Sequence, residues 1–274
     1  MFSIKSYGLD SLARMLFLFG LFQWGTAVTM GQETVRFHLV RYIEVETDAL
    51  NDFRNAVEEK TKNFNSSEES SRWWTYQISG GKRSGQFARG FGNVTAEQLD
   101  QPQFPEQGLA PKLGEEGRYW MDNIASFEKA AGQREVWREI KGTRYEGLPT
   151  GHHPKFVQHM RWKMLPGMYQ ETEEHFRMFS EAIRKSGMKV NWNITRLEMG
   201  GDYMTYQMSL SFDRLGDTFK DGEVLEKAYD AAHGKGSWKK KHLAKAPTLM
   251  QPNAEVISEL WILQPNLGNS SFGR

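Results

Sequence analysis

Parts of this sequence recur at a fixed distance. Gly-Gly at 80–81 returns as Gly-Gly at 200–201, inside the similar stretches "GGKRSGQFARGF" and "GGDYMTYQMSLSF". At that offset of 120 residues, "RFHLVRY" (Arg36 to Tyr42) stands over "FVQHMRW" (Phe156 to Trp162), with Arg41 over Arg161 and Tyr42 over Trp162. "EVWREI" (Glu135 to Ile140) stands over "EVISEL" (Glu255 to Leu260). Three blocks in one order without gaps mark a duplicated structural unit, and duplication constrains the fold more than composition does.

Each unit contains the same elements. An alternating strand (35–45, then 155–164) precedes an amphipathic helix (48–63, then 168–185). A hairpin turning on the glycine pair follows, then a helical region and a last strand. The order β-α-β-β-α-β is the ferredoxin-like split βαβ unit, whose sheet carries helices on one face only. The bare face needs cover, and a tandem repeat supplies it by turning two sheets face to face. The expected architecture is α+β: two ferredoxin-like repeats, residues 32–150 and 151–274, closing an intrachain pseudo-dimeric barrel.

In element order and in the repeat, the chain resembles the dimeric α+β barrel superfamily in fused form, over roughly residues 33 to 264. That superfamily includes small monooxygenases, haem-binding and haem-degrading proteins and chlorite-dismutase-like enzymes, so the resemblance implies a fold and leaves the activity open. The first expectation is a small-molecule-binding or accessory protein with its ligand in the barrel lumen. The alternative is an oxidoreductase or haem-binding enzyme built on the same barrel.

Lys5 and Arg14 precede the apolar run "MLFLFGLFQW", which is too short to span a bilayer and is followed by "GTAVTMG". Residues 1–31 are read as a secretory signal, cleaved after Ala27 or Gly31, which implies export to the periplasm or beyond and no transmembrane segment in the mature chain. Without Lys5, Arg14 and Asp10, the 35 basic and 34 acidic residues of the whole chain become 33 of each. A neutral chain whose one basic run is "KGSWKKKHLAK" (Lys235 to Lys245) is not expected to bind nucleic acid. The chain has no cysteine, which excludes disulfides, thiol catalysis and thiolate metal sites.

Strand alternation gives the candidate site. One face of the first strands carries Leu39 and Arg41, or His159 and Arg161; on the hairpin strand after Gly201, Gln207 and Ser209 oppose an apolar face of Met204, Tyr206, Met208 and Leu210. The polar face is assigned to the lumen. Arg41 and Arg161 would grip an anionic group by forked hydrogen bonds, with His159 as acid, base or ligand and Gln207 and Ser209 beside it. Alternatively, the arginines pair with strand carboxylates such as Glu139 and Glu259. His233, closing a helix just before glycine, is the haem-ligand candidate, its alternative role being a helix C-cap. "ETEEHF" sets Glu171 four residues before His175, a metal pair without further ligands or, more simply, a solvated helix face.

Overall fold

The computed structural model describes residues 35–66, 73–99, 114–129, 133–217 and 222–268. The predicted signal, residues 1–31, and most of the Pro-rich segment of the first repeat lie outside these residues. Nine strands run in chain order: β1 (Phe37–Ile43), β2 (Trp73–Gly80), β3 (Phe87–Val94), β4 (Arg134–Glu139), β5 (Tyr145–Glu146), β6 (Phe156–Lys163), β7 (Asn191–Met199), β8 (Thr205–Phe212) and β9 (Ile257–Leu263). The principal helices are α1 (Leu50–Phe64), α2 (Glu115–Asn123), α3 (Tyr169–Ser186) and α4 (Gly222–His233). None of the helices among the described residues is long and apolar enough to cross a membrane.

The strand order is β4-β1-β3-β2-β9-β6-β8-β7, with β4 also paired to β7, so eight antiparallel strands close a barrel and β5 adds to its rim. Within each half the order is that of the ferredoxin-like unit. The seams β2–β9 and β4–β7 join the halves at both edges, so neither half leaves a sheet edge open to pair elsewhere. The expected pseudo-dimeric barrel is therefore the fold. Alternating residues point inward, and Val40, Tyr42, Ile78, Ala88, Trp137, Val157, Leu197 and Trp261 form an apolar cluster there. The opposite residues meet the helices: Ile43, Phe53, Val57, Phe87 and Trp120 pack together in the first half, and Phe176, Ile183, Trp192, Ile194 and Tyr206 in the second.

The repeat is real, but its register differs from the offset of 120. Gly81 and Gly200 hold equivalent turns at the two seams. Each has φ +93°, and a Cβ there would lie 2.5 Å from the Ser258 carbonyl oxygen or 1.9 Å from that of Arg134. They are 119 residues apart, as are the helix-facing Trp73 and Trp192. The last strands match at 124, placing Glu135-Val136-Trp137 over Glu259-Leu260-Trp261. An error of one residue turns a strand over. The lumen counterpart of Arg161 is thus Tyr42, and Arg41 lies on the outer face with Leu39. The faces assigned to β6 and β8 are those observed; the face assigned to β1 is corrected.

Candidate functional site

The lumen holds a charge network built by the two Glu-x-Trp segments. In each, the indole Nε1 of the tryptophan donates to the glutamate two residues before it, Trp137 to Glu135 and Trp261 to Glu259, both at 3.0 Å. Each glutamate then receives an arginine from the other half. Arg83, on the β2–β3 turn, donates to both oxygens of Glu259 at 2.9 and 2.8 Å; Arg161 on β6 reaches Glu135 at 3.2 Å. Arg161 also donates to Gln207 at 2.7 Å and to the hydroxyl of Tyr42 at 2.6 Å, and Tyr42 passes its proton toward Glu135 at 2.8 Å. Burial would raise the carboxyl of Glu259, but the hydrogen bonds and charge of Arg83 outweigh it and hold that group below the ordinary value. Burial drives the Tyr42 hydroxyl upward, so it stays protonated.

These contacts engage the guanidinium of Arg161 in protein bonds and leave no fork for an anion. Arg41 is spent differently, paired with Glu128 and lying 5.5 Å over the Trp120 ring outside the barrel. The two arginines therefore do not converge, and the anion clamp is not formed. Both do pair with carboxylates, although with Glu128 and Glu135; Glu139 instead takes Arg144, and Glu259 takes Arg83. His159, Gln207 and Ser209 are brought together. Ser209 Oγ lies 3.0 Å from His159 Nδ1, and the imidazole rests 4.0 Å from the Trp261 ring. Burial, with the charges of Arg161 and Arg83, keeps this imidazole neutral, well below its ordinary value.

A second cavity, of about 440 Å³, opens on the outer face of the second half, between β6, β7, β8 and helix α3. Its walls are Met160, Trp162, Phe176, Phe179, Met208 and Leu210, with His175 and His242 among the lining residues. His242 belongs to a wide π-type turn, Trp238–Leu243, within the basic run. His242 Nδ1 lies 3.2 Å from His175 Nε2, and the rings stack at 6°. Burial lowers both imidazoles, His242 to about 4, with His175 adding to the effect on its partner. One of the facing nitrogens donates and the other accepts; whichever tautomer holds, the pair keeps one N–H and one lone pair on its remaining nitrogens.

The first half has a polar surface groove of about 460 Å³ along α1, walled by Asn51, Arg54, Asn55 and Glu58, but its counterpart of the apolar slot is filled among the described residues. At the spacing of 119, Met160, Met208 and Phe179 correspond to Arg41, Arg89 and Lys60. Arg89 is buried against Thr75 Oγ1 and the Leu267 carbonyl oxygen, at 2.9 and 2.7 Å. Lys60 is wholly buried, bonded to Asn65 and Glu116. With Trp120 buried beside them, polar side chains occupy the first half where methionines leave space in the second.

His233 faces neither cavity. Its Nε2 lies 2.9 Å from the carbonyl oxygen of Met178, and the ring packs on Tyr229. Of the histidine pair, His175 was read beside Glu171, which lies exposed while His175 turns inward to His242. His242 was missed, hidden in a lysine run; the readable signal was Trp238 and His242, four residues apart on one side of that run. Glu259 was named as an arginine partner, but its equivalence to Glu135 was missed because the 120 offset laid Glu255, rather than Glu259, beneath Glu135.

No family model and no curated protein matches the chain. Among solved structures it is similar to a Fusobacterium nucleatum protein described as a "putative monooxygenase", with a TM-score of 0.54 at 9% identity, covering 85% of this chain and 94% of that one. Chlorite dismutase from Candidatus Nitrospira defluvii, in complex with imidazole, gives 0.47 at 10%, covering 86% and 93%. An anthrone oxidase-like protein gives 0.46 at 9%, covering 83% and 91%. The likeness is one of fold: a closed antiparallel barrel with helices outside, both halves lying in one chain.

Proposed function

We propose that this protein binds an apolar, flat small molecule in the outer cavity of its second half. The observation that carries the reading is the asymmetry between halves: the same space is filled by Arg89, Lys60 and Trp120 in one and open in the other. A volume of about 440 Å³ lies within the range of ligand pockets, and apolar walls with a few convergent polar groups are what such pockets offer. The slot between sheet and helix suits a flat ring system. The histidine pair supplies one donor and one acceptor, which suits a carbonyl or hydroxyl on that ring.

Menadione, a two-ring naphthoquinone, is the probe. Saturable quenching of tryptophan fluorescence is expected for the native protein. Met208→Trp, which fills the slot, should abolish it, and His175→Phe should weaken it about tenfold, one net hydrogen bond. Equal binding by native protein and Met208→Trp would overturn the proposal. The alternative is an oxidoreductase acting in the same slot, the activity class attached to the Fusobacterium relative. Oxygen consumption with the reduced naphthohydroquinone, lost in Met208→Trp, would move the protein into that class.

Haem held through His233 is no part of this reading, because His233 lines neither the slot nor the lumen cavity and its Nε2 is bonded to the Met178 carbonyl. Haemin should give no Soret band that depends on His233. Export belongs to the same proposal, on the strength of the N-terminal segment alone, and the N-terminal sequence of the mature protein decides it: a start near Gln32 or Glu33 supports export, an intact Met1 opposes it.

A further inference from the structure

Above the charge network, the lumen is not filled. A cavity of about 220 Å³ lies there, walled by Trp74, Tyr76, Trp137 and Trp261 and bordered by His159 and Ser211. The sequence makes this room by pairing large with small residues. Trp74 lies across Gly90, where a Cβ would come within 2.1 Å of the indole, while β8 places the short Ser209 and Ser211 on the same inner face. The cavity has a mouth. Asn193, Ser209 and Ser211 also line a smaller cavity of about 150 Å³ that reaches Arg144 and Glu146 at the rim.

Two features define what would fit. The charges beneath the cavity cancel in number, with Arg83 and Arg161 against Glu135 and Glu259, and each is engaged by a partner. Among the described residues, an anion entering the lumen would find no free cation. His159 is more than nine-tenths buried, and Ser209 fixes its Nδ1; Nε2 has no hydrogen-bond partner among the described residues. An accessible ring nitrogen beside a cavity of this kind is open to a hydrogen bond with water or a ligand. We propose that the barrel lumen is a second binding site, separate from the outer slot, for a neutral single-ring aromatic carrying a hydroxyl group that hydrogen-bonds to His159 Nε2. Indole and phenol rings on the walls provide edge and face contacts for one ring. The volume is sufficient, since cavities of about 150 Å³ admit benzene.

Phenol, benzene and benzoate are the probes, titrated against the native protein by tryptophan fluorescence. Phenol should bind saturably, benzene about tenfold more weakly for want of the hydroxyl, and benzoate not at all. His159→Phe keeps a ring against Trp261 but removes Nε2, so it should erase the preference for phenol over benzene. Met208→Trp closes the outer slot and should leave phenol binding unchanged, which separates this proposal from the first. Phenol binding lost in Met208→Trp and retained in His159→Phe would place the ring in the slot and overturn the lumen site. Absence of saturable phenol binding, or equal affinity for phenol and benzene in the native protein, would also overturn it. Should His159→Phe not fold, the imidazole nitrogen resonance of His159 in the native protein gives the same answer: it must shift with phenol and stay fixed with benzene.

Discussion

His242 and His175 form a buried neutral pair, and their burial gives the protein an acid-sensitive stability. Beside burial, Lys245 adds to the depression of His175, and His175 adds to that of His242. The unfolded chain takes up protons near pH 6.5, whereas His242 in the folded protein resists until about pH 4. Over that window the unfolded state binds more protons, so stability must fall as pH falls. His159, also held neutral, adds to the loss in the same direction. Below about pH 4.5 the lowered carboxyls of Glu139 and Glu259 extend it. Thermal unfolding followed from pH 7.5 to 4.5 should show a declining midpoint, and His242→Phe should flatten the decline. A slope unchanged in that variant would remove His242 from the account.

At the scale of elements, the hairpin turns hold the seams. Gly200 adopts a left-handed conformation while its backbone presses against the Arg134 carbonyl of β4, so the turn and the β4–β7 pairing depend on one missing side chain. Gly85 has nearly the same φ, +92°, but no heavy atom within 4 Å of a Cβ built there. The two positions separate strain from close approach. Gly85→Ala should cost about 1–2 kcal/mol, the conformational term alone. Gly200→Ala should cost clearly more, because the clash is with backbone, and should loosen β4–β7 in hydrogen exchange. Equal costs measured by denaturant unfolding would show that the seam tolerates the added methyl group.

For the whole molecule, the two halves exchange their charged partners: Arg83 of the first bonds Glu259 of the second, and Arg161 of the second bonds Glu135 of the first. Trp137 and Trp261, each about 1% exposed, belong to one buried apolar cluster. With both seams and the lumen shared, one half cannot unfold without exposing the inner face of the other. A single cooperative transition is expected, with far-ultraviolet circular dichroism and tryptophan fluorescence coincident. Trp261→Ala should lower stability by about 3–5 kcal/mol without splitting that transition. Two separated transitions would show that the halves are independent domains.

The linear sequence determined the architecture, because duplication, the βαββαβ order and the glycine turns are local or periodic properties. Two sheets with one bare face each have few ways to be covered, so the closed barrel was legible before any contact was known. The clean alternation of β8 and its neighbour β6 put His159, Arg161, Gln207 and Ser209 on one shared face, while only the structure fixed that face as the inner one. What the sequence left undetermined was register. A strand has a period of two, so laying β1 at 120 rather than 119 residues from β6 was enough to send Arg41 inward on paper while it pairs with Glu128 outside the barrel. Only the closed tertiary structure could decide which groups meet: Arg161 with Glu135, His175 with His242, His233 with a backbone carbonyl. Those contacts join residues 26, 67 and 55 positions apart, and no local periodicity encodes them. The same holds for the open slot. Its existence depends on methionine side chains leaving volume unfilled beneath α3, a property of packing in three dimensions rather than of any stretch of sequence.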